Sequence, residues 1–433
     1  MKKILLTSTA IALALPFAAQ QASAAAVEGK TPRLQLSGEL SPQFHFLKNK
    51  KREANKGKGF GQHLAIEDSR INFDVLGKTD ALGGLEYGFL AGMAIDTNES
   101  NNIEEARISL KNQLGTVMIG DTRGVDDFMA VGPWKVMGGT GGGIYGNMTS
   151  SYQPTSGVRF SGDLVNTPKD ATKINYITPR YAGFQAGITY TPNSAHDGSA
   201  KLFSHSNEGR VTQHFFPAQP FDHRQVGLGV NYKNTFQNGL NVQVSLTGLY
   251  GHTKSGARKA ADEVKSYIPN ATTVTNTDLL FTPAKIHRTK AYAVGGLLGW
   301  QGFKVAGEYI NNGKSGESRA LKGNNAGKVY SGALGYSWNV HSVAAGYSHT
   351  TRKLGTGFKR AKTDVYTLTY DHTFAPGLEG FVEGNFAKQK TDAKYVNFVK
   401  NVKLDAPAAF NKTNDAVGNS NTKAVIIGSR IRF

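Results

Sequence analysis

Apolar and polar residues alternate with a period of two along most of the chain. Near its start Leu34, Leu36, Gly38, Leu40, Phe44 and Phe46 hold one set of alternate positions. Gln35, Ser37, Glu39, Ser41, Gln43 and His45 hold the other. The pattern returns in Ile71-Phe73-Val75, in Leu85 to Ile95 and in Ala106-Ile108-Leu110; after a long interruption it resumes at Ile174-Tyr176 and Phe184 to Tyr190. It then recurs through Val226–Tyr232, Leu240–Tyr250, Tyr292–Trp300, Phe303–Tyr309, Tyr330–Trp338, Val343–Tyr347, Tyr366–Tyr370, Leu378–Phe386 and Val425–Phe433. Successive side chains of a strand point to opposite faces, so this alternation predicts strands with one apolar and one polar face.

The connections sort by length. Short turns are expected at Asp80–Gly83, Asn112–Gly115, Pro179–Gly183, Thr235–Gly239, Gln301–Gly302, Asn339 and Phe374–Gly377. Long polar loops alternate with them, at 48–66, 96–102, 122–171, 192–222, 252–287, 311–326, 351–361 and 390–422. Short turns at one end and long loops at the other are the asymmetry of a transmembrane barrel, whereas the loops of a β-sandwich need not sort this way. The expected fold is therefore all-β: an antiparallel transmembrane β-barrel of 16 strands with both ends on the short-turn side. Trp300, Phe303, Trp338, Tyr370 and Phe184 lie on the apolar face beside short turns; Phe46, Tyr190, Tyr250, Tyr309 and Tyr347 lie on it near long loops. These positions predict two aromatic girdles, one at each membrane interface.

The extreme N-terminus reads differently. Met1-Lys2-Lys3, the apolar run Ile4 to Ala19 and small Ala22-Ser23-Ala24 are expected to form a secretory signal peptide, residues 1–24, leaving 25–433 as the barrel. Cleavage is expected after Ala24, with Ala26 as the alternative. No other segment approaches the roughly 20 apolar residues of a spanning helix. With 0 Cys, neither disulfides nor thiolate metal sites are available. The 51 Gly against 14 Pro suit many turns and closely packed strands. A mean hydropathy of −0.36 is too polar for a helical membrane protein but suits strands that place only alternate residues on lipid. Without Lys2 and Lys3 the chain has 48 basic and 32 acidic residues, an excess of +16. In a secreted protein this points to anionic lipid or an anion pathway rather than nucleic acid.

Sixteen strands enclose more space than side chains fill, so the interior is expected to be a water-filled channel. Hydrophilic inward positions include Arg70, Asn72, Glu86, Glu105, Arg107, Lys111, Lys304, Glu379, Glu383, Arg430 and Arg432. An inserted loop must then restrict the channel. The longest interruption, which follows Thr116–Gly120 and begins Asp121-Thr122-Arg123-Gly124-Val125-Asp126-Asp127, is the candidate. Its glycine run, Gly138–Gly143, lacks the Lys-Ser/Thr and helix of a phosphate-binding loop and reads as a flexible apex. The 11 His show no paired spacing, so no metal site is expected; His45 and His349 read as lumen or girdle side chains. Ser204, His205, His214 and Asp222 fall in the loops without a nucleophile motif, so an outer-membrane hydrolase is disfavoured. The basic run Lys48–Lys58 reads as a solvated loop, or as a contact with lipopolysaccharide phosphates or a neighbouring subunit.

Gly-Thr-Val-Met-Ile-Gly-Asp-Thr-Arg (115–123), Ile-Asn-Tyr-Ile-Thr-Pro-Arg-Tyr-Ala-Gly-Phe-Gln (174–185) and the ending Ile431-Arg432-Phe433 resemble the Gram-negative general porin family. The resemblance runs in order over essentially the whole mature chain. It implies that the third loop folds into the barrel to form a charged eyelet and that three barrels associate as a homotrimer. Carried over to this sequence, Asp121, Asp126 and Asp127 would be the loop carboxylates and Arg70 and Arg107 the basic wall, with Lys111 or Arg123 nearby. It further implies an outer-membrane location, no cofactor, and Phe433 as part of the signal read during barrel assembly. Opposed charges across a gap near the Debye length, about 8 Å at physiological salt, would set up a weakly screened transverse field. Passive diffusion of small hydrophilic solutes with mild anion preference is expected; a substrate-selective anion or phosphate porin is the alternative.

Overall fold

The computed structural model describes residues 29–50, 59–80, 84–96, 103–141, 164, 167–168, 171–194, 221–254, 286–317, 319, 322–394 and 419–433. The signal segment lies outside them, as do Ser204, His205 and His214.

Sixteen strands close into one antiparallel barrel. The first two each contain a break: β1 comprises Gly29–Leu40 and Pro42–Lys50, and β2 comprises Gly59–Ile66 and Arg70–Thr79. There follow β3 (Leu85–Ala94), β4 (Ile103–Asn112), β5 (Gly115–Asp121), β6 (Thr172–Ile177), β7 (Phe184–Asn193) and β8 (Phe221–Thr235). Next are β9 (Asn241–Lys254), β10 (Thr289–Trp300), β11 (Phe303–Asn311) and β12 (Lys328–Trp338). The last are β13 (His341–Arg352), β14 (Ala361–Ala375), β15 (Leu378–Lys390) and β16 (Ser420–Arg432). The breaks in β1 and β2 face one another: the Ser41 N–H donates to Ser69 Oγ at 2.8 Å and the Glu67 N–H to the Ser41 carbonyl at 3.2 Å.

Closure joins β16 to β1 from Asn421 opposite Lys50 to Arg432 opposite Glu39. Phe433 and Gly38 complete it by exchanging both backbone hydrogen bonds, at 2.9 and 3.2 Å. The expected closing of the last strand on the first is thus met, and it leaves neither strand with an open edge. A β carbon at Gly38 would lie 2.7 Å from the Arg70 carbonyl oxygen and 2.8 Å from the Phe433 ring, so the seam needs glycine there.

Burial is inverted relative to a water-soluble protein. Leu34, Leu228, Leu334 and Leu368 are exposed, while Gln43, Thr191, Thr369 and Glu383 are buried. Such an exterior is stable only against hydrocarbon, and among the described residues the strands pair backbone to backbone all round the closed ladder. Aromatic contacts follow the two expected girdles. Tyr336, Trp338, His341 and Tyr370 stack in sequence near the short turns, and Tyr309–Tyr330 and Tyr347–Tyr366 near the loops.

One expected boundary is corrected. The first loop does not run from 48 to 66: β1 continues to Lys50 and β2 starts at Gly59. Backbone pairing needs no apolar side chain, so the wall extends past the apolar band that the alternation marks.

Candidate pore-constriction site

Residues 122–141 follow β5 and contain a short helix, α1 (Val125–Phe128), and a 3-10 turn, Pro133–Lys135. Their contacts run along polar-face positions of several strands. The Val125 N–H donates to Thr189 Oγ1 of β7 at 2.8 Å and the Val131 N–H to Ser245 Oγ of β9 at 2.9 Å. On β14 the Gly138 N–H donates to Thr369 Oγ1 at 3.1 Å and the Gly139 N–H to Asp371 Oδ1 at 2.7 Å. On β15 Glu383 Oε2 accepts both the backbone N–H and the hydroxyl of Thr140, each at 2.9 Å. Arg430 of β16 donates to the Gly139 carbonyl. Val131, Val136 and Met137 join Leu297, Ala306, Ala333, Ala344 and Val365 of the wall in one buried apolar cluster.

Glycine makes this approach possible from both sides. A β carbon at Gly295 of β10 would lie 1.7 Å from the Val131 carbonyl oxygen, and one at Gly138 would lie 1.6 Å from Asp371 Oδ2. The start of the expected flexible apex is therefore tied to the wall by its backbone; Gly142 and Gly143 lie outside the described residues.

Of the seven residues that the sequence nominates, two come together as a unit. Arg70 on β2 donates to Glu105 Oε2 at 2.5 Å, and Arg107 on β4 pairs with Glu105 Oε1. Thr122, the first residue of the segment, donates to the same Oε1 at 2.5 Å and accepts from Arg107 at 3.1 Å. Two guanidinium groups thus share one carboxylate. Glu105 is legible as an inward residue, but its bridging role needs the register that brings β2 and β4 to either side of β3.

The other five do not join this unit. Arg123 and Asp127 pair with each other at 3.4 Å across one helical turn. Lys111 pairs with Glu86 at 2.8 Å beside the short turn after β4, at the end of the wall away from the long loops. Asp121 shares the parity of Val117 and Ile119, which is the apolar face, and there accepts from the Thr172 hydroxyl. Helix α1 points Asp126 into the wall, not into open space. It is 4% exposed, and its Oδ2 accepts from Thr167 at 2.6 Å while Oδ1 has no partner. Asp121 and Asp126 are thus not brought together with Asp127: nearness in sequence does not fix the direction of a side chain.

Burial pushes the Asp126 carboxyl up to about 6, the Thr167 bond opposing it and the Asp127 charge adding to it. A folded-state value above the unfolded one means that ionisation opposes attachment: the penalty is absent below 3.8 and grows as pH rises through about 6. Asp126→Asn is therefore expected to strengthen local attachment by about 2 kcal/mol at pH 8 and to give no gain at pH 3.5. Hydrogen exchange of amides 125–131 measures this; faster exchange in the variant at pH 8 would mean that the charge is stabilising.

Among groups the sequence did not nominate, Lys173 is 1% exposed and its ammonium donates to the carbonyls of Thr122, Pro168 and Ala171, pinning both ends of the interruption. Lys135 is held below the usual lysine range by burial and by the nearby Lys233 ammonium. Among the described residues no group of three or more His, Asp or Glu could hold a metal ion.

A closed antiparallel barrel with an apolar exterior and a polar inner face is the architecture of an outer-membrane channel. The chain belongs to the Gram-negative porin family, which it matches over residues 7–392. It is 23% identical to an uncharacterized protein of Rickettsia felis over 436 residues, covering 88% of this chain and 92% of the relative. A Rickettsia typhi protein is 24% identical over 437 residues, with the same coverage. Among solved structures, an anion-selective porin from Comamonas acidovorans superposes with a TM-score of 0.54 at 16% identity, covering 93% of this chain and 100% of that one. The outer membrane channel DcaP of Acinetobacter baumannii gives 0.52 at 9% identity, covering 93% and 97%. The trimer form of OmpT, an outer membrane protein of Vibrio cholerae, gives 0.51 at 13%, covering 93% and 100%. The protein is accordingly a porin of the bacterial outer membrane, a channel for passive diffusion.

Proposed function

We propose that residues 122–141 fold inward as the third loop and narrow this channel, and that it passes small hydrophilic solutes with a preference for anions. The observation that carries the constriction is the set of hydrogen bonds from this segment to polar-face groups of β7, β9, β14 and β15. Loop and wall then bound the aqueous path between them. Its charge balance favours anions: Arg70 and Arg107 share one carboxylate, and Lys135 adds a cation on the loop itself. The excess of +16 in the mature chain acts in the same direction. In planar bilayers with a salt gradient the reversal potential is expected to carry the sign of an anion-preferring pore. A strong cation preference would overturn the selectivity, and the absence of stable conductance would overturn the channel.

The wider reading is of a secreted, non-enzymatic transporter with residues 1–24 as its signal peptide, working as a homotrimer. The Vibrio cholerae neighbour, described in a trimer form, supports the assembly. Specific uptake of one anion is the alternative, favoured by the mutual repulsion of the Lys135 and Lys233 ammonium groups, which Asp127 partly offsets. Saturating, inhibitable anion flux would support it, and flux linear in concentration would exclude it.

A further inference from the structure

At the short-turn end of β13 and β14 two histidines face each other across the strands. His341 stands directly opposite His372 in register, although 31 residues separate them in sequence. Both lie on the outward face: His341 shares the parity of Tyr347, and His372 that of Leu368 and Tyr370, all three exposed. Their Nδ1 atoms are 3.2 Å apart, and the Tyr370 hydroxyl lies 2.9 Å from the same His341 Nδ1. Aromatic neighbours hold both imidazoles in place. Trp338 stacks on His341 with ring centres 5.3 Å apart, and Phe374 meets the His372 ring edge-on at 4.6 Å. Behind them the Thr373 N–H donates to the Val340 carbonyl at 2.9 Å, which fixes the backbone that carries the pair.

A neutral imidazole nitrogen is either a donor or an acceptor, with one proton or one lone pair to offer. His341 Nδ1 has two polar partners within hydrogen-bonding reach, so no tautomer gives each of them a full bond. A metal ion could serve all three atoms at once. Donors held about 2.0–2.1 Å from a metal, at angles between square and tetrahedral, stand about 2.9–3.4 Å from each other. The two separations here, 2.9 and 3.2 Å, both fall in that interval. Imidazole nitrogen suits copper, zinc and nickel, whereas calcium and magnesium take oxygen donors alone. The residues opposite the pair on the same face, Trp338 and Gly380, bring no positive charge to oppose a cation. Both imidazoles are half-buried beside the turn, which leaves an approach from water.

We propose that the Nδ1 atoms of His341 and His372, with the Tyr370 hydroxyl as oxygen donor, bind one divalent transition-metal ion of the copper and zinc class. Water completes its coordination. The donor set is two imidazoles and a phenol, distinct from a group of three His, Asp or Glu. The ion would clamp β13 to β14 at the membrane interface on the short-turn side. Copper is bound most tightly by a given nitrogen and oxygen site, so Cu(II) is the probe of choice. The site lies on the outer surface of the wall and is independent of pore size and selectivity.

The test is titration of the full, detergent-purified barrel with Cu(II) after chelator treatment, read by electron paramagnetic resonance. A bound-copper signal coupled to two nitrogens is expected. His341→Gln and His372→Gln should each weaken binding about tenfold or more, at least the cost of losing a ligand's own hydrogen-bond partner. Tyr370→Phe should bind severalfold more weakly with both nitrogen couplings kept. His252, which stands opposite His223 at the loop end, supplies the control: His252→Gln should leave the signal unchanged. Absence of a nitrogen-coupled signal in the wild type overturns the proposal, as does a signal that survives both substitutions at the pair or is abolished by His252→Gln. If the variants fail to assemble, oxidation footprinting of the wild-type protein with copper and ascorbate decides. Modification centred on His341 and His372 supports the site, and modification confined to other residues overturns it. Conductance recorded on the same wild-type preparation keeps failure of the channel reading separate from failure of this one.

Discussion

Gly295→Val is expected to raise single-channel conductance roughly twofold or more, because pore size sets conduction, while leaving the barrel folded. A β carbon at this position falls 1.7 Å from the Val131 carbonyl oxygen and 2.9 Å from its carbon, too close for either to remain. The loop must retreat from β10, losing the bond from the Val131 N–H to Ser245 at 2.9 Å and the burial of Val131, Val136 and Met137. Overpacking of this kind costs roughly 1–3 kcal/mol, enough to shift a loop but small against a closed ladder of sixteen strands. Gel mobility before and after heating would check the barrel, bilayer recording the conductance, and limited proteolysis between 122 and 141 the loop. Unchanged conductance together with a displaced loop would show that residues 122–141 do not restrict the channel.

The second large effect is expected at Glu105→Gln. Its carboxylate is the shared partner of Arg70, at 2.5 Å, and of Arg107. With its oxygen in place of Oε1 the amide still accepts from Thr122 and Arg107, while its NH2 faces Arg70, which keeps Asn72 Oδ1 at 2.5 Å; one negative charge is lost. Two uncompensated cations on one stretch of wall should raise chloride-over-potassium permeability about threefold, since charges in a confined path are weakly screened. Glu86→Gln is the control. Its pair with Lys111 is well exposed to solvent beside the short turn, where screening should leave little change in selectivity. Equal shifts in the two variants would move the selectivity-determining position away from Arg70 and Arg107.

How much of the fold is legible in the sequence follows from what alternation encodes. A strand in a membrane barrel meets hydrocarbon on one face and water or other polar groups on the other, so each strand states its orientation residue by residue. Leu34 and Leu36 outward, Glu39 inward and Phe433 at the seam are all local statements of that kind. Where the wall rises beyond the apolar band, as at Lys48–Lys50 and Gly59–Phe60, this chemical contrast ends and the predicted boundary fell short.

The site was less legible because its partners are distant in sequence. Glu383 meets Thr140 across 243 residues and Arg430 meets Gly139 across 291. No spacing rule links them. Asp121 and Asp126 show the complementary point: both are close in sequence, yet strand parity turns one outward and a four-residue helix buries the other. Glu383 looks from sequence like an ordinary lumen residue, and only the passing loop makes it, together with Asp371, an anchor.

By itself the sequence determined the barrel, its strand count, the face each residue takes and the position of the long third interruption, because each depends on local alternation between two solvents. The tertiary structure alone decided which charges meet. Glu105 between Arg70 and Arg107 and the glycine-lined approach beneath Val131 both depend on register around a closed sheet, which sets distant residues side by side.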